Sequence, residues 1–204
     1  MNFRKSLSFL IAVLLLFCVS GCKKNPQQLS SNTVVSQSET TTKTQRKYLT
    51  LLYSNSDTFN PYTVQTDVNR NVCKLLYEPL IKVSDEFEPI NALAKSVENK
   101  GKTCKITIKT AQFSDGTEVL ATDVKYSYEL AKKSSTAYAK KLYGVESVSA
   151  SGLTVTFNLK KNDPYFENLL DFPIIKKGSE KRTDSDGVTQ PPIGCGRYKL
   201  NSKN

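Results

Sequence analysis

The stretch FSDGTEVLATDVKYSYELA, residues 113–131, decides how this chain is read. Asp115–Gly116 is a turn signal: glycine accepts backbone angles that tight turns demand, and aspartate bonds to its own following backbone. The residues after it have helical spacing. At 100° per residue, Val124, Ser127, Tyr128 and Ala131 gather on one side, with Tyr126 and Leu130 opposite. A surface helix needs one apolar stripe, so two predict a helix held between layers.

Strand patterns lie on both sides of it. In TCKITIK (103–109), Cys104, Ile106 and Ile108 share one face, and in SGLTVTFNL (151–159) so do Leu153, Val155, Phe157 and Leu159. KYLTLLY (47–53) is apolar on both faces and reads as a central strand. VQTDVNRNVCKLLYEPL (64–80) carries Val68, Val72, Leu75 and Leu76 at helical spacing and ends near Pro79. LIKVS reads as a short strand. DPYFENLL (163–170) reads as a short helix with Pro164 in its first turn, and PPIGCGRYKL (191–200) as a glycine-kinked approach to a last strand. Intermixed helices and strands over 47–204 predict one α/β domain with a mixed sheet and flanking helices.

Upstream the composition changes twice. MNFRKSLSFLIAVLLLFCVSGC has a basic start (Arg4, Lys5) and an apolar run too short to span a bilayer, so residues 1–21 are expected to be a secretory signal. Its ending, Val19-Ser20-Gly21-Cys22, looks like a bacterial lipobox, which implies that Cys22 is lipidated and becomes the mature N-terminus. Residues 22–46 are then the lipidated cysteine and a tether. Ser, Thr, Asn and Gln dominate it, no aromatic occurs, and such a segment cannot bury enough apolar surface to order itself. The expected location is the outer face of a cell membrane, held by lipid.

The formal charge is +10, and +8 remains without Arg4 and Lys5. The lysines are scattered singly, and an exported protein rarely meets nucleic acid, so no nucleic-acid partner is expected. There is no histidine, which removes the commonest general base and imidazole metal ligand. No nucleophile elbow, phosphate loop or metal-binding spacing occurs, and Asp57, Asp67, Asp85 and Asp115 stand in turn or capping contexts. No catalytic residue, metal or cofactor is expected. Cys73 and Cys104 read as buried small hydrophobes, with Cys195 between two glycines and any disulfide among the three left open. The chain is built to hold something rather than transform it.

FSDGTEVLATDVKYSYELA, with TFNPYT and LLYEPLI upstream and LTVTFNLKKNDPYFENLL and PPIGCGRYKL downstream, resembles one family. These motifs, in that order, are similar to the N-terminal lobe of the extracellular solute-binding proteins of family 5, the oligopeptide- and dipeptide-binding lipoproteins of ABC importers. The resemblance covers residues 47–200. It implies a type II periplasmic-binding-protein lobe I, truncated before lobe II, whose complete form is a clamp closing on its ligand. It implies a peptide or small-solute ligand, ABC permease subunits as partners, a membrane contact through the lipid anchor, and a monomer.

By the same resemblance, Gln65, Thr66 and Asp67 after TFNPY contribute ligand contacts, and Asp67 stands equally as an N-cap of the following helix. Tyr138 in TAYAKKLYG matches an aromatic lining the peptide groove, and core packing remains its alternative. Gly194 and Gly196 match a kinked pair near the cleft, a backbone requirement rather than a ligand contact. Leu120 departs from the family by standing where a threonine usually opens the helix. Thr122 or Asp123 is therefore expected to cap a helix starting a residue or two later. A second function class stays open: a truncated surface lipoprotein acting as a peptide sensor, adhesin or antigen without transport.

Overall fold

The computed structural model describes residues 48–201. The signal, Cys22 and the tether lie outside the described residues. In chain order the elements are α1 (Asp67–Leu76), β1 (Ile81–Val83), β2 (Pro89–Asn91), β3 (Ala94–Lys100), β4 (Thr103–Ile108), α2 (Ala121–Lys133), α3 (Ala137–Lys141), β5 (Val145–Ser151) and β6 (Thr154–Leu159).

The alternating sequences 103–108 and 154–159 become the two central strands of a four-stranded sheet of order β3-β4-β6-β5. Every pairing in it is antiparallel. Two hairpins build it, turning at Gly101 and Gly152, both at positive φ, where a side chain would be strained. β1 and β2 form a separate antiparallel ladder. One sheet face is buried: Cys104, Ile106 and Ile108 from β4, with Val155, Phe157 and Leu159 from β6. Val124, Tyr128 and Ala131 of α2 pack on that face. Phe157 is the centre, its ring 5.7 Å edge-on from Tyr128 and 5.6 Å from Phe166. Burying a side chain of this size contributes about 2–3 kcal/mol.

The Val124–Ala131 side of the helix 121–133 meets both the sheet and the irregular segment 172–182, and from the opposite side Tyr126 reaches that same segment. Phe172 meets Tyr128 at 6.5 Å, Ser127 Oγ accepts the Ile175 amide at 3.0 Å, and Tyr126 donates to Glu180. Tyr126 and Leu130 are only half-buried, so the second side is a partial cover. Tyr128 has a buried hydroxyl without a hydrogen-bond partner. Such a group carries a desolvation cost of about 1–3 kcal/mol. Tyr128→Phe is therefore expected to raise the urea midpoint, by about 1 kcal/mol of stability; a lower midpoint would mean the hydroxyl is satisfied in solution.

Four local expectations are corrected. Residues 48–53 form no strand: Leu52 is 88% exposed, and no backbone hydrogen bond joins 49–53 to another described residue. The pattern asks for a strand paired on both edges, and neither edge strand of the described sheet, β3 or β5, pairs with this segment. Residues 197–200 form no strand either, because the Tyr198 amide is spent on the Leu75 carbonyl at 3.1 Å. With both segments outside the sheet, the mixed pairing expected of it is absent among the described strands. The helix after Asp115–Gly116 starts at Ala121 and not later, with Leu120 at its N-cap. The Leu120 amide donates to Asp123 Oδ2 at 2.9 Å, so the third helical residue supplies the one half of a capping box that needs no side chain from Leu120. In α1 the buried face is Asn69, Val72, Cys73 and Leu76, with Val68 exposed. A polar residue took the place that periodicity assigned to valine.

Candidate functional site

Two side chains hold the loop that precedes α1. Asn69 is fully buried; its Oδ1 accepts the Ser54 amide at 2.7 Å and its Nδ2 donates to the carbonyls of Ser54 (2.9 Å) and Thr58 (3.3 Å). Asp57 closes the other end. Its carboxylate accepts the Thr66 hydroxyl at 2.6 Å, the Thr66 amide at 2.8 Å and the Gln65 amide at 3.2 Å. These bonds, the Thr66 hydroxyl first, hold the Asp57 carboxyl at about 2, below its ordinary 3.8. A depressed carboxylate stabilises the fold above the unfolded value, and that contribution fades as pH falls from about 3.8 through about 2. The 57–66 loop is expected to open across that window, read as faster amide exchange at Gln65 and Thr66. In Asp57→Asn the two amides should exchange fast already at neutral pH.

The sequence-predicted residues fall into place differently. Thr66 is the N-cap of α1 by backbone, yet its hydroxyl is committed to Asp57 and makes no cap bond. Asp67 is the first helical residue, so the N-cap alternative is corrected; its carboxylate favours the helix N-terminus by position and pairs with Arg70 one turn on. The Arg70 guanidinium also donates to the Gln65 carbonyl at 2.9 Å. Arg70 thus ties Gln65 and Asp67 together.

Beside this cluster opens a cavity of about 400 Å³, lined by Val64, Arg70, Cys73, Tyr77, Tyr138 and Asp171 among others. Tyr138 is half-buried in its wall. Lys141 Nζ lies 5.7 Å from the Tyr138 ring centroid and 2.5 Å from Asp171 Oδ2. Burial first, with Asp171 second, pushes the Tyr138 phenol up to about 12, so the ring presents a neutral hydroxyl at physiological pH. Burial likewise pushes the Cys73 thiol up to about 12, which leaves it a thiol and not a nucleophile. Cys73, Cys104 and Cys195 are all free. The cavity offers an apolar wall, the phenol of Tyr138 beside that of Tyr77, whose hydroxyl is bonded to the Phe59 carbonyl, and the cations Arg70, Lys74 and Lys82. It can hold a ligand and shows no group placed to transform one.

Of the sequence-predicted residues Tyr138 alone lines this cavity; Gln65 and Asp67 lie outside its lining and bond to Arg70, which does line it, while the Thr66 hydroxyl holds the loop to Asp57. Arg70, Lys141 and Asp171 were not singled out from sequence. Arg70 carried a local signal, three residues after Asp67 on a helix, but the Lys141–Asp171 pair spans 30 residues and carried none. Gly194 and Gly196 act through backbone approach. A Cβ at Gly194 would lie 2.1 Å from the Leu76 carbonyl oxygen, and one at Gly196 would lie 2.4 Å from that of Leu75. The Gly196 amide donates to the Leu76 carbonyl at 2.9 Å, capping the end of α1.

A family profile, that of the bacterial extracellular solute-binding proteins, family 5 Middle, matches residues 88–204. No curated protein sequence matches the chain. Among solved structures the chain is similar to the Escherichia coli murein tripeptide-binding protein MppA, at 22% identity and a TM-score of 0.61, covering 72% of this chain and 34% of that one. It is similar to the Bacillus subtilis oligopeptide-binding protein AppA, solved with a nonapeptide, at 24% identity and 0.58, covering 72% and 32%. It is also similar to the A. tumefaciens protein AgaA, solved with agropinic acid, at 21% and 0.63, covering 72% and 31%. The chain thus spans about a third of the length of each. These likenesses carry the fold, the α/β architecture of type II periplasmic binding proteins, and the family is one of binding proteins rather than enzymes. With more than half of its 204 residues inside that profile, the chain belongs to the bacterial extracellular solute-binding proteins of family 5.

Proposed function

We propose that this chain is the first-lobe part of a lipid-anchored substrate-binding component of an ABC importer. In this reading Cys22 carries the lipid, and the domain captures peptides or a related small solute outside the membrane and delivers them to permease subunits. The observation that carries it is the cavity shared by Tyr138 and Arg70, to whose rim Gln65 and Asp67 are tied. Its aromatic wall accepts many side chains, and the exposed Gln65 side chain and the Arg70-paired Asp67 carboxylate are within reach of solvent, where they would meet main-chain groups or an ammonium. Thr66 fixes their backbone. A clamp of which one side is present leaves a ligand half-solvated, so binding by this chain alone should be weak.

An NMR titration of the chain with a mixed peptide pool tests the reading. Fast-exchange shifts at Gln65–Asp67 and Tyr138, with a Kd of ~1 mM or weaker, are expected. Micromolar binding would overturn the half-clamp, and shifts confined to other residues would overturn the site.

A further inference from the structure

The register of the sheet gathers lysines at one of its ends. Lys100 pairs with Thr103, Thr103 with Asn158, and Val145 with Leu159, so these four strand ends lie side by side. Two backbone bonds lock the neighbouring turns to them: Leu159 donates to the Lys102 carbonyl at 2.7 Å and Lys160 to that of Gly144 at 2.9 Å. This end therefore carries Lys100 and Lys102 in the β3–β4 turn, Lys140 and Lys141 at the end of α3, and Lys160 and Lys161 after β6. The opposite end carries Lys95 and Lys109, and Lys109 is occupied by the carbonyls of Asn91 and Ala92.

Of the six lysines, Lys141 alone forms an ion pair among the described residues, with Asp171. Acidic groups at this end are Glu98, Glu146, Asp163, Glu167 and the Asp171 that pairs with Lys141. Asp163 accepts the Tyr165 amide and Glu167 accepts from Asn99, while Glu98 faces Lys105 across the ladder. A cavity of about 460 Å³ opens among Lys140, Lys160, Lys161 and Tyr143, floored by Leu159 and Phe166. The Lys160 ammonium lies 4.0 Å from the Tyr143 ring centroid. Tyr143 and Tyr165 are 75% and 73% exposed.

We propose that this end of the sheet is a docking surface for the headgroups of anionic phospholipids. The lysines supply the attraction, since each cation brought to an anionic bilayer strengthens binding about fivefold. Four strand ends at ~4.8 Å spacing spread them over ~14 Å. That is wider than one phosphate group, and it fits an array of them. The exposed tyrosines suit the zone between headgroup and acyl chain, where an apolar ring with a polar tip is at home. The contact would act in addition to any lipid at Cys22; it adjoins the ligand cavity at Lys141, which pairs with Asp171 in that cavity's wall, and it would hold the domain against the bilayer in one orientation.

The test uses the mature chain from position 22 with Cys22→Ala, which takes no lipid, sedimented with vesicles. The lysines of the tether are common to every variant. Binding to vesicles of equal phosphatidylglycerol and phosphatidylcholine is expected, falling with added salt, and absent on phosphatidylcholine alone. Lys160→Gln with Lys161→Gln should weaken it about 25-fold, two charges at fivefold each. Lys177→Gln with Lys181→Gln, the same charge loss beside the N-terminus of α2, should change it less than ~2-fold. Circular dichroism checks that both double variants are folded. Equal losses in the two variants, or no binding to the anionic vesicles, would overturn the proposal. So would capture of soluble polyphosphate through Lys160 and Lys161 without vesicle binding.

Discussion

Gly194→Ala is expected to cost the fold about 3 kcal/mol or more, measured as a lowered urea midpoint with an unchanged slope. The new Cβ would sit 2.1 Å from the Leu76 carbonyl oxygen and 2.6 Å from the Tyr77 ring. Neither neighbour can retreat: Leu76 is the last residue of α1, and the Tyr77 hydroxyl is bonded to the Phe59 carbonyl at 2.8 Å. Relief must come from residues 191–196, which would pull the Ser114 amide off the Gly194 carbonyl and the Gly196 amide off Leu76. The backbone at Gly194 is not in the left-handed region, so the whole effect is contact. A midpoint within error of the parent would show that this segment swings away freely and that the end of α1 needs no such cap.

The second large effect belongs to the core. Phe157→Ala removes the ring that Tyr128 and Phe166 both touch, on a strand with paired neighbours on each side. Two ladders hold the backbone of β6 in place, so the void cannot collapse, and a loss of about 3–5 kcal/mol is expected. Set against a total of about 5–15 kcal/mol, this removes from about a fifth to all of the chain's stability. Phe87→Ala is the control. That ring is 79% exposed, and its loss should leave the midpoint nearly unchanged. Similar losses at the two positions would mean that Phe87 is covered in solution.

The elements legible in sequence are those whose partners are near in the chain. β4 and β6 alternate cleanly because each has one face on α2 and one toward solvent, and α2 declared its stripe through Val124, Tyr128 and Ala131. The Asp115–Gly116 turn was equally plain, since Thr117 returns its amide and hydroxyl to Asp115 Oδ1 within two residues. What misled was apolar content that joins no ladder among the described strands. Residues 48–53 have the composition of a strand, but a strand is defined by what pairs with it, and composition carries no word of that.

Helix capping failed for a related reason. The loss of threonine at Leu120 suggested a later start, whereas Asp123 could cap from inside the helix. In the site, Tyr138 and the Gln65–Asp67 loop came from resemblance; the structure shows Arg70 bonded to Gln65 and Asp67 and lining one cavity with Tyr138. The Thr66 hydroxyl turns away to Asp57, nine residues back, and Lys141 reaches Asp171 thirty residues on. Contacts of that span leave no periodic trace.

The sheet order β3-β4-β6-β5 has a consequence in time as well as in space. Each hairpin, β3–β4 and β5–β6, closes over a turn of two residues, the kind of event that takes ~1–10 μs. The seam between β4 and β6 instead joins Thr107 to Thr154, across an intervening segment that contains α2 and α3. Closing that loop costs entropy before any contact repays it, so the seam sets the pace of folding. A folding chain would then hold two formed ribbons with bare apolar faces until α2 settles between them and 172–182. The residues that bring α2 to the sheet govern how long those faces stay open to other chains.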